Sequence, residues 1–270
     1  MLSQESINQL IELSKEYNKA CYFEGDPIIF PKHFALVMEG KSGIPGLGCQ
    51  SEYGSEDGAY KYVASIKVVE IAGIIAAHLA WGRRDMIIRD CKRAFDEMKW
   101  RPYEYIMAGK YRDDDASLHR TIKWSEFAQI CSNLKMFFSK NETLETLDAD
   151  QIRVVIYGQK SNPKAANKKI HMFRRWMVRN DNIVDLGLWK NTSPSQLIIP
   201  LDVHVHRSAV NLGITSRKSA DLATAKEITD FLKTVFPDDP CKGDFALFAY
   251  AATKLREKEL ANKTHKKRTQ

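Results

Sequence analysis

The chain has 270 residues, carries 41 Lys and Arg against 34 Asp and Glu for a formal net charge of +7, and is 44% hydrophobic. That excludes a wholly disordered chain and fits one large domain or two small lobes sharing a cleft. The longest apolar run, Ile71 to Trp81, is too short for a bilayer, the N-terminus lacks a secretory pattern, and five cysteines (Cys21, Cys49, Cys91, Cys131, Cys241) form no Cys-x-x-Cys pair, so a cytoplasmic, reduced protein with no membrane partner is expected.

The apolar spacing is helical nearly throughout. Ile7, Leu10, Ile11, Leu13 and Tyr17 predict a first helix, which Gly25-Asp26-Pro27 ends. Residues 40–58 read as a loop with six glycines, Gly40, Gly43, Gly46, Gly48, Gly54 and Gly58. A buried helix follows over Ile66–Ala80, then helices over Asp85–Met98, Trp124–Phe138 and Leu144–Ile156. Asn162-Pro163 reads as a helix start, because Asn caps free N–H groups and Pro lacks the one it would waste. Ser193-Pro194 repeats the device, and helices are expected over Leu201–Leu212, Ala220–Val235 and Asp244–Leu255. Alternation of period two is almost absent. The expected fold is all-α and two-lobed, one lobe from about 1–60 with 200–255 and the other from about 66–199, with a disordered basic tail over 256–270.

The positive charge is local. Lys160, Lys164, Lys168, Lys169, Arg174, Arg175 and Arg179 stand together with no acid among them, a pattern expected of a phosphate-binding face. Phe173, Trp176 and Met177 are interleaved and demand burial on one side, which places the segment between a core and something anionic. Two other motifs fail on context. Ala35-x4-Gly40-Lys41-Ser42 has the outline of a phosphate loop, but no strand precedes it and Glu39 would repel the phosphate. His204 and His206 are two positions apart and point to different sides of a helix, so no metal site is expected.

What remains is Lys168-Lys169 and, after Ile199-Pro200-Leu201, Asp202. A lysine amine is nucleophilic when neutral, and partial burial beside another cation favours that state. A helix N-terminus favours a negative charge, and Asp202 is placed at one. Such a pair could attack a sugar C1′ and stabilise the cationic sugar that forms. The plainer alternative has Asp202 as a helix cap and the lysines bound to phosphate or water.

The segment resembles the helix-hairpin-helix DNA glycosylases, whose pattern reads Leu-Pro-Gly-Val-Gly-x-Lys-Thr-Ala and later Val-Asp-Thr-His-Val. Pro163 falls on the motif proline, Lys168 on its nucleophilic lysine, and Asp202-Val-His204-Val205 on Asp-x-His-Val. Over most of its length the chain also resembles an uncharacterised bacterial and archaeal family, through Met172-Phe173…Arg175-Trp-Met-Val-Arg179, Pro200-Leu-Asp202 and Asp239-Pro240…Asp244-Phe-Ala-Leu-Phe248. The hairpin glycines are replaced here by Lys164 and Ala166, so side chains would have to grip phosphate. The 34 positions between Lys168 and Asp202 resemble the long interval of archaeal 8-oxoguanine glycosylases.

The resemblance implies a monomeric glycosylase and abasic-site lyase acting on double-stranded DNA with a damaged base such as 8-oxoguanine. Lys168, Asp202 and Lys169 would be catalytic, with Lys168 favoured by motif position and Lys169 by its place on the apolar helix face. Lys160, Asn162, Lys164, Arg175, Arg179, His204 and Arg207 would bind DNA, and Trp81, Arg83 and Trp189 would form the base pocket or wedge. No cofactor, metal or iron–sulfur cluster is implied, since Cys241 stands alone. Two alternatives stay open: a non-catalytic DNA- or RNA-binding module, and a helical scaffold whose basic tail contacts a protein.

Overall fold

A computed structural model describes residues 4–23, 25–48, 65–181, 183–248 and 250–251. Gly54, Gly58, Cys49, the basic tail and the end of the last expected helix lie outside the described residues. The described part is mostly helical, with one small two-stranded sheet. It divides into two compact units: one holds residues 1–24, 164–171 and 193–270, the other 25–163 and 172–192.

The second unit is organised on α3 (Ile66–Leu79), which buries eleven of its residues. A helix apolar all round needs neighbours on every side. One neighbour is α2 (Ile29–Met38), whose Pro31 sits in the first turn, where no intrahelical N–H bond is lost. Phe30 and Phe34 of α2 lie buried against Phe95 of α4 (Arg84–Glu97) and against Trp100. Gly73 of α3 admits the ring of Phe173, since a Cβ there would stand 2.7 Å from that ring.

The short α5 (Pro102–Ala108) starts on its proline and stops at Gly109, whose φ of +72° suits glycine. A hairpin follows, β1 (Ser117–His119) paired antiparallel with β2 (Ile122–Lys123), and leads into α6 (Trp124–Phe138). Asp148 and Gln151 then cap α7 (Ala149–Gln151) reciprocally, each side chain accepting the other's backbone N–H at 2.8 Å. From there the chain widens into a π-turn over Ile152–Ile156.

The expected single helix over Leu144–Ile156 is therefore three short pieces, and the next helix does not start at Asn162-Pro163. Pro163 and Lys164 lie in a turn, and α8 runs over Lys168–Val178. Asn167 precedes it with φ +45°, a left-handed conformation that asparagine tolerates, and its carbonyl accepts the N–H groups of Ile170 and His171 at 2.9 Å each.

In the first unit, α1 (Gln4–Tyr17) buries Leu10, Leu13 and Tyr17. Residues 241–248 are helical, and Phe245 stacks on Phe23 with ring centroids 3.6 Å apart. The unit is completed by α9 (Val203–Asn211) and α10 (Leu222–Val235), with Ala225, Ile228 and Leu232 of α10 buried. The division differs from the expected lobes at three places: 25–48 groups with the second unit, where α3 needs the apolar face of α2, and 164–171 and 193–199 group with the first.

Candidate active site

Lys168, Lys169 and Asp202 all belong to the first unit. The two lysines open α8 and are half-buried. Burial, and after it the charge of Lys168, pushes the Lys169 amine down to about 8. Lys168 makes no hydrogen bond or ion pair among the described residues. Asp202 caps α9: its Oδ1 accepts the backbone N–H groups of His204 and Val205, each at 2.8 Å. Its other oxygen, Oδ2, accepts no hydrogen bond among the described residues, so the cap occupies only half of the carboxylate. Beside it Val203 is 61% exposed, an apolar side chain at an open helix end.

The remaining expected DNA contacts separate by burial. Lys164 is exposed, and its carbonyl accepts the Leu222 N–H at 2.9 Å, which ties the loop before α8 to the start of α10. Arg207 is exposed and His204 half-buried on α9. In the second unit Lys160 and Asn162 are exposed, and the loop that carries them is organised by Asp150, which accepts the Ser161 hydroxyl at 2.5 Å and the Asn162 N–H at 3.0 Å.

Arg175 and Arg179 are corrections. They are buried and turned toward Asp185: Arg175 Nε donates to Oδ1 at 3.3 Å, and Arg179 donates to Oδ2 at 2.8 Å and to Asp181 at 2.7 Å. Burial pushes the Asp185 carboxyl up, against the pull of both guanidinium groups. The physical reason is that α8 is covered nearly all round. Residues 186 and 189 fold back onto it, the Leu186 N–H donating to Trp176 and the Trp189 N–H to Met177, each at 2.8 Å. The anion that the basic run requires lies, for these two residues, six to ten positions further along the same chain. The signal was present in the acids Asp181 and Asp185 just beyond the run.

Trp189 is likewise core and not a pocket wall. It is 2% exposed, packs edge-on against Phe173, and its indole N–H donates to Glu70 Oε1 at 2.6 Å. Glu70 is itself fully buried. It also accepts the Thr143 hydroxyl at 2.5 Å and the Leu144 N–H at 3.0 Å. Burial outweighs these bonds and raises its carboxyl to about 7. Trp81 is half-buried at the end of α3, and Arg83 is exposed with both ends of its guanidinium on Asp85, at 3.1 and 2.7 Å.

A family model described as a protein of unknown function, DUF2400, matches residues 59–155 and 148–253, which together cover most of the chain. The chain belongs to the DUF2400 family. No curated protein and no solved structure matches it. The DUF2400 match includes both units' share of the basic segment, the lysine pair and Asp202. Among the described residues no group of three or more His, Cys, Asp or Glu could hold a metal ion, and no helix is long and apolar enough to cross a membrane.

Proposed function

We propose that this DUF2400 protein is a DNA glycosylase with abasic-site lyase activity, acting on a damaged purine such as 8-oxoguanine. The observation that carries the reading is the half-used carboxylate of Asp202 in the same unit as a half-buried lysine pair, one amine of which is shifted toward neutrality. In this reading the amine of Lys168, placed by its motif position, attacks C1′. The N–C1′ bond forms as the glycosidic bond breaks, the base leaves with the bonding electrons and takes up a proton, and Asp202 stabilises the positive charge that develops on the sugar. The C1′–O4′ bond then breaks, O4′ leaves with its electrons and takes up the proton that nitrogen loses, and the ring opens to a protonated imine, the species from which strand cleavage follows.

Lys164 and Arg207 would neutralise phosphates in this unit and Lys160 in the other, where the Asn162 amide would donate a hydrogen bond to one. One observation favours the non-catalytic module instead: Oδ1 of Asp202 already has a structural task as a cap. The Asp202→Asn variant separates the two. Asn keeps a capping oxygen but loses the charge, so a catalytic Asp202 predicts unchanged melting and duplex affinity with excision slowed about a hundredfold or more. Full excision by Asp202→Asn would assign the residue to the cap alone.

A further inference from the structure

The β1–β2 hairpin of the second unit carries an arginine where its turn calls for glycine. His119 pairs with Ile122, so Arg120 and Thr121 are the two central residues, and Arg120 has φ +55°. Glycine or asparagine adopts that conformation at little cost, whereas a long side chain is strained there. The arginine is nevertheless held in place. Its guanidinium carbon lies 4.4 Å from the centroid of the Trp81 ring. A Cβ on Gly82 would stand 2.7 Å from an Arg120 terminal nitrogen, so the guanidinium occupies the space that the missing side chain leaves.

The support beneath is buried. His119 is fully enclosed, with Nδ1 2.8 Å from Asp90 Oδ2 and Nε2 2.9 Å from the carbonyl of Trp81, so the strand and the stacked indole are tied through one ring. Arg93 donates to the carbonyls of Leu118 and Ser117 at 2.8 and 3.3 Å, and the Ser117 hydroxyl donates to the Arg120 carbonyl at 2.8 Å. Desolvation pushes Asp90 up, but hydrogen bonds from Arg89, His119 and Arg93 outweigh it and hold the carboxyl below its ordinary value. Arg120 itself is exposed, and its side chain makes no hydrogen bond or ion pair among the described residues. Its donors are therefore fixed in direction by a rigid base and meet no acceptor among the described residues.

We propose that Arg120, stacked on Trp81, is a preoriented phosphate receptor for the backbone of duplex DNA. A planar fork with five N–H donors matches phosphate oxygens, and stacking removes much of the freedom that such a contact would otherwise cost. The neighbouring Arg84 is also exposed on the same unit, while the charge of Arg83 is offset by Asp85. The inference deepens the DNA-binding part of the proposed function and does not depend on any covalent chemistry.

The test is binding of undamaged duplex by full-length protein as a function of salt. Arg120→Gly should melt no lower than the natural protein, because glycine relaxes the turn. It should lower the slope of log K against log[salt] by about one unit, which at 0.1 M salt is roughly an eightfold loss of affinity for one phosphate contact. Arg120→Lys, which keeps the charge without the fork, should bind less tightly than the natural protein with nearly the same slope. An unchanged slope in Arg120→Gly would overturn the proposal. So would affinity for an acidic peptide that depends on Arg120 when affinity for DNA does not. Because the duplex is undamaged, failure of borohydride trapping leaves this result standing, and a null result here leaves the trapping result standing.

Discussion

Replacing Glu70 by Gln should remove a pH dependence of the second unit's stability that can be worked from the structure. The carboxyl is fully buried under Thr143, Leu144 and Trp189, and desolvation moves it from an ordinary 4.5 to about 7. The native state therefore holds a proton that the unfolded chain has released, between about pH 4.5 and pH 7. The associated stability is present below 4.5 and lost as pH rises through about 7. At about 1.4 kcal/mol for each tenfold change in proton affinity, the whole effect is about 3 kcal/mol. Gln keeps an acceptor for the Trp189 indole but turns an amide donor toward one of the remaining partners, so the variant should be clearly less stable at pH 4.5. At pH 8 the natural protein must bury an anion that Gln does not have, and the gap should shrink by about 3 kcal/mol. Urea unfolding of both proteins across pH 4.5–8, followed by tryptophan fluorescence, reads this directly. A difference between the two that stays constant with pH would show that Glu70 is ionised in the fold and that its three hydrogen bonds, not burial, dominate.

Two further outcomes follow from where the charges sit. Asp185→Asn should cost on the order of 3–5 kcal/mol in denaturant unfolding, because it leaves two buried guanidinium groups short of their shared anion, while any DNA affinity of the folded variant keeps its salt slope; near-native stability would mean that Arg175 and Arg179 are satisfied elsewhere. Lys164→Ala, on an exposed residue, should do the reverse, with melting unchanged and the slope of log K against log[salt] lower by about one unit, and an unchanged slope would place Lys164 away from phosphate.

The long helices were legible because burial imposes a period that the residues cannot hide. The expected Trp124–Phe138 coincides with α6, Ile66–Ala80 differs from α3 by one residue at its end, and Asp85–Met98 is shifted from α4 by one residue at both ends. Short elements carry too few residues to show a period. The seven residues of α5 and the five of the hairpin went unread, and α2 was obscured by an apolar stretch with a proline in its first turn. The basic segment was misread for a different reason. Composition shows that cations cluster but not which side of a helix is covered, and Leu186 and Trp189 fold back onto α8 close to Asp185, the acid that pairs with Arg175 and Arg179. Lys168, Lys169 and Asp202 were legible through a motif and a cap, since Asn, Asp and Ser at helix starts announce themselves locally. Arg120 had no such signal, because only the backbone shows that it stands at a left-handed position.

Borohydride trapping on a panel of duplexes with abasic sites, 8-oxoguanine and other damaged bases tests the central claim most directly, since reduction converts an imine between a lysine and C1′ into a stable adduct. The natural protein should give a protein–DNA band on at least one duplex, Lys168→Gln should abolish it, and Lys169→Gln should weaken it without removing it. Loss of the band in Lys169→Gln but not in Lys168→Gln would move the nucleophile by one residue, and the absence of any adduct from the natural protein on every duplex would contradict the glycosylase–lyase account.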